Sequence, residues 1–256
     1  MSNEKDALSA LIQIPKALIE SVPVVGPLIG YVCEDYANRQ LSKLEEFRVG
    51  EAAKYCIGKI ESKIQNGFTP RDDDRFFASN ENYRSSAEEI FEGVLTKCKL
   101  EHEQKKSNYI SNLFVNVAFE KVSVAQANFL LKLVGTMTYR QLCLIKLFYQ
   151  NKNNVLGLKT TETVMFFSEN ISILQEIFEL TQLGLVQKLM AEADKTNATW
   201  RDAQLLLQNS FNAMFGWDEV IPGCMELTAL GETAYKLLSL EEMSVLEIEN
   251  LIKELK

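Results

Sequence analysis

The chain has 256 residues and a formal net charge of −8, with 46% hydrophobic and 24% charged residues. This balance is typical of a soluble globular protein that can bury one large core or two smaller ones. The negative charge argues against nucleic acid or anionic lipid as a partner for the whole surface. Only 12 glycines and 5 prolines occur, which favours helices over turn-rich β structure.

The five cysteines predict free thiols. They are odd in number, widely spaced and without a Cys-x-x-Cys pair, which indicates a reducing compartment. The first residues also lack the basic start and the cleavage site of a secretory signal peptide. We therefore expect a cytoplasmic protein.

The chain begins with two apolar segments joined by the uncharged stretch SVPVVGPLIG (residues 21–30). Pro23 is predicted to end the first helix, and Pro27 is suited to the first turn of the second. We expect this second helix to continue to Phe47, with Leu44 and Phe47 turned inward. The two segments then form a helical hairpin.

The hairpin could lie in a protein core or in a membrane. Its uncharged run, residues 21–33, is shorter than the roughly 20 residues that a spanning helix needs. A hairpin packed in the core is therefore the leading interpretation. Two alternatives stay open: a partner-binding helix, and a membrane-active hairpin that is buried at rest and released on activation. The residues that would enter the membrane are Leu11, Leu18, Val24, Val25, Leu28 and Ile29.

The rest of the first half reads as helices with short connections. Turn-forming residues fill 66–83, and a helix should start near Ser86, where Glu89 completes the pattern of a capping box. Further apolar helices follow up to Met137. Residues 1–136 are therefore predicted to form an all-helical domain.

The second half mixes helices with short strands. The predicted features are a helix capped at Ser168 and ended by Gly184, a strand from Leu185, a strand at 225–227, a helix capped by Thr228, and a C-terminal amphipathic helix. Two of its phrases, LTQLGLVQK (180–188) and MELTALGETAYKLL (225–238), resemble the winged-helix fold. A long segment with a helix-like insert at 202–215 separates them, whereas a standard wing is shorter.

The first half is similar to the Abi-alpha group of bacterial abortive-infection and phage-defence proteins. The similarity lies in PVVGPLIG (23–30) and YISNLFVNVAF (109–119), and it implies a role in phage defence. The predicted fold is thus mainly α: an N-terminal helical bundle over 1–136, then an acidic winged-helix-like α+β domain over 137–256.

A winged helix suggests DNA binding, but the charges oppose it. Residues 137–256 hold 10 Lys and Arg against 16 Asp and Glu, a balance of −6. The helix that would enter the major groove carries Glu169, Glu176 and Glu179 and no basic residue, although DNA affinity depends on neutralising phosphates. Nucleic acid is therefore not expected as a partner of this domain.

Catalytic chemistry has little support in the sequence. His102 is the only histidine and is flanked by glutamates, and Asp72–Asp74 form one acidic loop rather than separated metal ligands. Phosphate-binding glycine motifs do not occur. Lys97, Lys99, Lys105 and Lys106 are interleaved with glutamates, which favours a solvated helix end over a partner patch. We predict no catalytic, cofactor-binding or metal-binding residues, and no enzyme.

Two aromatic clusters are candidates for partner contacts. Phe76 and Phe77 follow the acidic loop, and Trp217 precedes Asp218 and Glu219. Such residues either anchor a loop to the core or form the centre of an interface. The leading hypothesis is a non-enzymatic interaction subunit or adaptor in bacterial phage defence, bound to another protein or to further copies of itself. The alternatives are a membrane-disrupting effector acting through residues 8–32 and a winged-helix DNA-binding regulator.

Overall fold

The computed structural model of the chain describes residues 25–37, 39, 41–79, 84–160, 168–189 and 220–256. These residues are mainly helical with a small two-stranded sheet, so the predicted mainly α class is confirmed. The chain divides into two compact units. The first ends at Tyr139 and also includes Leu237–Ser239; the second comprises Arg140–Lys236 and Leu240–Lys256.

The first unit is a helical bundle. Its described helices are α1 (Gly26–Ala37), α2 (Lys43–Gln65), α3 (Ser86–Leu100), α4 (Gln104–Val117) and α5 (Val124–Val134). Helices α2, α3 and α4 each pack against the other two, α1 packs against α2 and α3, and α5 against α3 and α4. The centre of the unit is therefore the junction of α2, α3 and α4.

Serine capping boxes set where α2 and α3 begin. Ser42 and Glu45 form one at the start of α2, with the backbone N–H of Ser42 donating to Glu45 Oε2 at 2.8 Å. Ser85 and Glu88 form the other, one residue earlier than the predicted Ser86 and Glu89. Each box satisfies N–H groups that the first helical turn leaves without intrahelical partners.

The prediction of one helix from Pro27 to Phe47 is wrong. Helix α1 ends at Ala37, and the Ser42 capping box starts α2 as a separate helix. In this second helix Leu44 is 57% exposed and Phe47 is 48% exposed, instead of turned inward.

The core of the first unit is apolar and aromatic. Phe91 of α3 and Phe114 of α4 have no exposed surface, and their ring centroids lie 4.7 Å apart. Burying one such side chain stabilises the fold by roughly 1.5–3 kcal/mol. The thiols of Cys56 and Cys98 converge on Ser111: Cys56 Sγ donates to its carbonyl at 3.6 Å, and Cys98 Sγ lies 3.7 Å from its Oγ.

The second unit combines helices with the sheet. Apart from the end residues that belong to the first unit, it contains α6 (Tyr139–Gln150), α7 (Ser168–Gln182), β1 (Val186–Lys188), β2 (Met225–Leu227), α8 (Ala229–Leu237) and α9 (Leu246–Glu254). The strands pair antiparallel, with Val186 opposite Leu227 and Lys188 opposite Met225. The sheet therefore joins the end of α7 to the start of α8.

The turns around this sheet follow the sequence predictions. Gly184 has φ +72° just after α7, a conformation that suits glycine. Thr228 Oγ1 accepts the N–H of Gly231 at 3.0 Å and donates to the carbonyl of Gly184 at 2.6 Å. A Cβ on Gly231 would lie 2.0 Å from the carbonyl oxygen of Leu185, so the close approach of α8 to β1 requires glycine there.

Candidate protein-interaction groove

The predicted contact residue Phe76 is a core residue. Its side chain is 1% exposed, its ring lies edge-on to Phe77 at 4.9 Å, and the Arg71 guanidinium stands 4.4 Å from its centroid. Arg71 also holds Asp73 through two bonds of 2.8 and 2.6 Å, which keep the pKa of that carboxyl below its usual value. The prediction of Phe76 as a partner contact is therefore wrong, because its side chain is buried. Phe77 is partly exposed and stays a prediction.

Other predicted site residues lie outside the described residues: Leu11, Leu18, Val24, Trp217, Asp218 and Glu219. The described members of the hairpin are Val25, Leu28 and Ile29, and each is at most 6% exposed in the first unit. Among the helices that the structure describes, none is long and apolar enough to cross a membrane. A release of the hairpin from the core stays a prediction.

An open groove of about 620 Å³ lies in the first unit, between α2 and the start of α4. Successive turns of α2 line one wall with Arg48, Glu51, Lys54 and Tyr55, because residues three or four positions apart share a helix face. The first turns of α4 form the other wall, which includes Lys105. The groove therefore combines side chains from distant parts of the sequence.

The groove is positively charged although the chain is acidic. Its lining holds three cations, Arg48, Lys54 and Lys105, against one carboxylate, Glu51, which is a balance of +2. Lys54 Nζ lies 3.2 Å from Glu51 Oε1, and both side chains are about half exposed, at 47% and 55%. The local charge is thus opposite in sign to the net charge of −8.

Hydrogen bonds hold the lining in place. Arg48 Nη1 donates to the carbonyl of Lys99 at 3.3 Å, a group in the last turn of α3. The Tyr55 hydroxyl donates to Asn112 Oδ1 at 3.1 Å, and the buried Asn112 Nδ2 donates to the carbonyl of Leu238 at 3.1 Å. Tyr55 is therefore tied to a buried polar network.

Apolar side chains are exposed beside these cations. Leu44 and Phe47 are consecutive members of one face of α2, and Phe47 also lines the groove. Leu100, at the end of α3, is 67% exposed and follows the residue whose carbonyl Arg48 contacts. Single exposed apolar residues are normal on protein surfaces, but two on one helix face next to a cationic groove make this face a candidate interaction site.

The acidic cluster Glu101, His102 and Glu103 has side-chain ligand atoms within 4.8 Å of one another. Its carboxylates already have structural bonds: Lys106 Nζ lies 2.6 Å from Glu101 Oε2, and the backbone N–H of Tyr139 donates to Glu103 Oε2 at 2.8 Å. Burial raises the pKa of Glu101, but the bond from Lys106, the backbone N–H of Glu103 and the nearby positive charge together keep that pKa below the usual value. A metal ion at this cluster would have to share both carboxylates with these bonds.

Helix α7 is the one that would enter the major groove of DNA in a winged-helix protein. Two of its glutamates form hydrogen bonds to α6. Glu176 Oε2 accepts from Arg140 Nε at 2.6 Å, and Glu179 Oε2 accepts from Gln141 Nε2 at 2.9 Å. These bonds lie within the second unit. They give both carboxylates a structural role, in addition to the charge that opposes DNA phosphates.

No protein-family model, curated protein or solved structure matches this chain. The winged-helix and Abi-alpha resemblances therefore stay predictions from the sequence.

Proposed function

We propose that the chain is a non-enzymatic protein-interaction subunit whose described contact surface is the α2–α4 groove with Leu44, Phe47 and Leu100 beside it. The observation that carries this proposal is the half-exposed Phe47 next to Arg48 on α2. Aromatic residues and arginine are enriched at the centres of protein interfaces, where a few of them supply most of the binding energy.

The extent of the surface supports the same proposal. Residues 44 to 55 of α2 span about 16 Å along the helix axis, which matches about three turns of a partner helix. The opposite wall adds Gln104, Lys105 and Asn108. A groove of this length with an apolar end and a charged end suits an amphipathic element of another protein.

The state of three buried thiols supports a non-enzymatic role. Burial raises the pKa of Cys33 and of Cys98 to about 12, and it also raises the pKa of Cys56. These groups stay protonated at neutral pH, and a thiol is a weak nucleophile compared with a thiolate. His102 is 87% exposed and contacts Glu101 at 3.4 Å, which suits a surface residue better than a catalytic base.

The biological setting is part of the proposal and rests on the sequence. The similarity of the first half to the Abi-alpha group supports a role in bacterial phage defence. We include in the proposal a cytoplasmic location and a winged-helix character for residues 137–256. Phage infection of cells carrying the wild-type chain or the Leu44→Ser, Phe47→Ser variant tests this setting, and we expect protection only from the wild type.

Co-purification from the native host tests the interaction itself. We expect the tagged wild-type chain to retain one protein in a fixed molar ratio, and the Leu44→Ser, Phe47→Ser variant to lose it. Leu246→Ser is a matched control, because Leu246 is 72% exposed but belongs to the second unit. A wild-type chain that purifies alone as a monomer would contradict the proposed function.

A further inference from the structure

The distribution of charge along the groove indicates what kind of partner it fits. Arg48 and Lys54 lie six residues apart on α2, about 9 Å along the helix axis. Lys105 stands on the opposite wall. Carboxylates one or two helical turns apart on a partner helix match this spacing, because one turn rises about 5.4 Å.

The Arg48 guanidinium keeps hydrogen-bond donors for a partner, and it shares its charge with the carboxylate of Glu45, one turn earlier on α2. Its bond partner in the structure is the carbonyl of Lys99, which orients the guanidinium but carries no net charge. A guanidinium fixed in this way can bind a carboxylate through its remaining donors. The single carboxylate of the lining, Glu51, lies next to Lys54 instead.

The apolar side chains beside the groove favour a peptide over a nucleic acid as the ligand. Leu44 and Phe47 lie on α2 one turn before the cations. Their side chains have no hydrogen-bond donor or positive charge for a phosphate backbone. An amphipathic helix meets both parts of the surface with one face, apolar at one end and acidic at the other.

We infer that the α2–α4 groove binds an acidic amphipathic helix of a partner protein, an inference that rests on the proposed interaction function. Its carboxylates contact Arg48, Lys54 and Lys105, and its apolar side chains cover Leu44 and Phe47. The groove is a basic site on a chain that is acidic overall. Charge complementarity between this helix and the groove therefore selects the partner.

Two synthetic peptides test the inference on the full chain. One is an 18-residue amphipathic helix with leucine and phenylalanine on one face and glutamate beside them; the other has glutamine at every glutamate position. Fluorescence anisotropy at low salt should show the glutamate peptide binding roughly tenfold more tightly than the glutamine peptide, because charge complementarity favours it. The difference should disappear at high salt, which screens exposed charges.

Charge variants locate the binding site. Lys54→Glu with Lys105→Glu should remove the preference for the glutamate peptide, whereas Lys132→Glu, an exposed lysine on α5, should keep it. Glu51→Gln raises the balance of the groove from +2 to +3 and should tighten binding of the glutamate peptide. This gain is informative because a variant that merely damages the fold cannot produce it.

Several results would overturn the inference. They are equal affinity for the two peptides, no measurable binding of either, equal losses in the groove variant and the Lys132→Glu control, or stronger binding of a DNA duplex that the groove variant abolishes. Self-association of the chain through the same residues, seen by sedimentation, would also overturn it. A partner that still co-purifies from the host would then leave the proposed function intact, so the two failures are distinguishable.

Discussion

The two faces of α2 carry apolar residues with very different surroundings. Val49, Ala53 and Ile60 have no exposed surface, whereas Leu44 and Phe47 are about half exposed on the same helix. Burial in the first unit explains the inward residues, because removing apolar surface from water stabilises the fold. The outward residues gain little from folding. Under the proposed function, these residues serve binding rather than stability.

The largest effect on stability should come from the inward side of the bundle. Phe91→Ala removes a fully buried ring that packs on Phe114, and it should lower the free energy of unfolding by about 4 kcal/mol. Urea denaturation followed by far-UV circular dichroism measures this change. We also expect peptide binding to disappear, because α3 supports both α2 and α4. Unchanged stability would show that the ring is not part of the core.

The next largest effect should come from the buried ion pair. Lys106→Met leaves the carboxylate of Glu101 buried without its cation, which should cost about 3 kcal/mol. The double variant Glu101→Gln, Lys106→Met should recover part of that loss in the same urea experiment. Equal losses in the single and double variants would mean that the pair itself has no role in stability.

The lowered pKa of Glu101 predicts a smaller, pH-dependent effect. Because its pKa is lower in the folded chain than in the unfolded chain, its contribution is complete above the unfolded value of about 4.3 and is lost as pH falls through the folded value. The difference in stability between wild type and Glu101→Gln should therefore shrink on acidification from neutral pH. A difference that stays constant throughout would contradict the assigned role of Lys106.

The smallest effect should come from the groove. Lys54→Ala removes the exposed ion pair with Glu51, which should change the free energy of unfolding by about 0–0.5 kcal/mol. The same variant should weaken binding of the glutamate peptide clearly. A large loss of stability, seen in thermal unfolding, would mean that the groove belongs to the core rather than to a binding surface.

Local signals allowed much of the fold to be predicted. Gly184 and Thr228 act within a few residues of their positions. The end of α7, the start of α8 and the two strands therefore followed from the sequence. The capping box at α3 was displaced by one residue, because Ser85 with Glu88 and Ser86 with Glu89 fit the same pattern. Recognising Ser42 with Glu45 as a capping box would have separated α1 from α2.

The groove depends on tertiary packing and could not be found this way. Arg48 and Lys105 line one groove because α2 packs against α4, and no local pattern connects positions so far apart. Phe76 looked like a contact residue because an acidic loop precedes it. The stacking of Arg71 and the bonds to Asp73 fold that loop onto the bundle instead. Exposure of Phe47 likewise depends on where α2 starts.

The central claim is that Leu44 and Phe47 serve binding and not folding. Its most direct test measures two quantities on the Leu44→Ser, Phe47→Ser chain: the thermal unfolding midpoint, and the amount of partner that co-purifies from the host. We predict that stability stays within about 0.5 kcal/mol of the wild type, because surface substitutions rarely cost more, while the partner is lost. A destabilised chain, or a stable one that retains its partner in full, would contradict the claim.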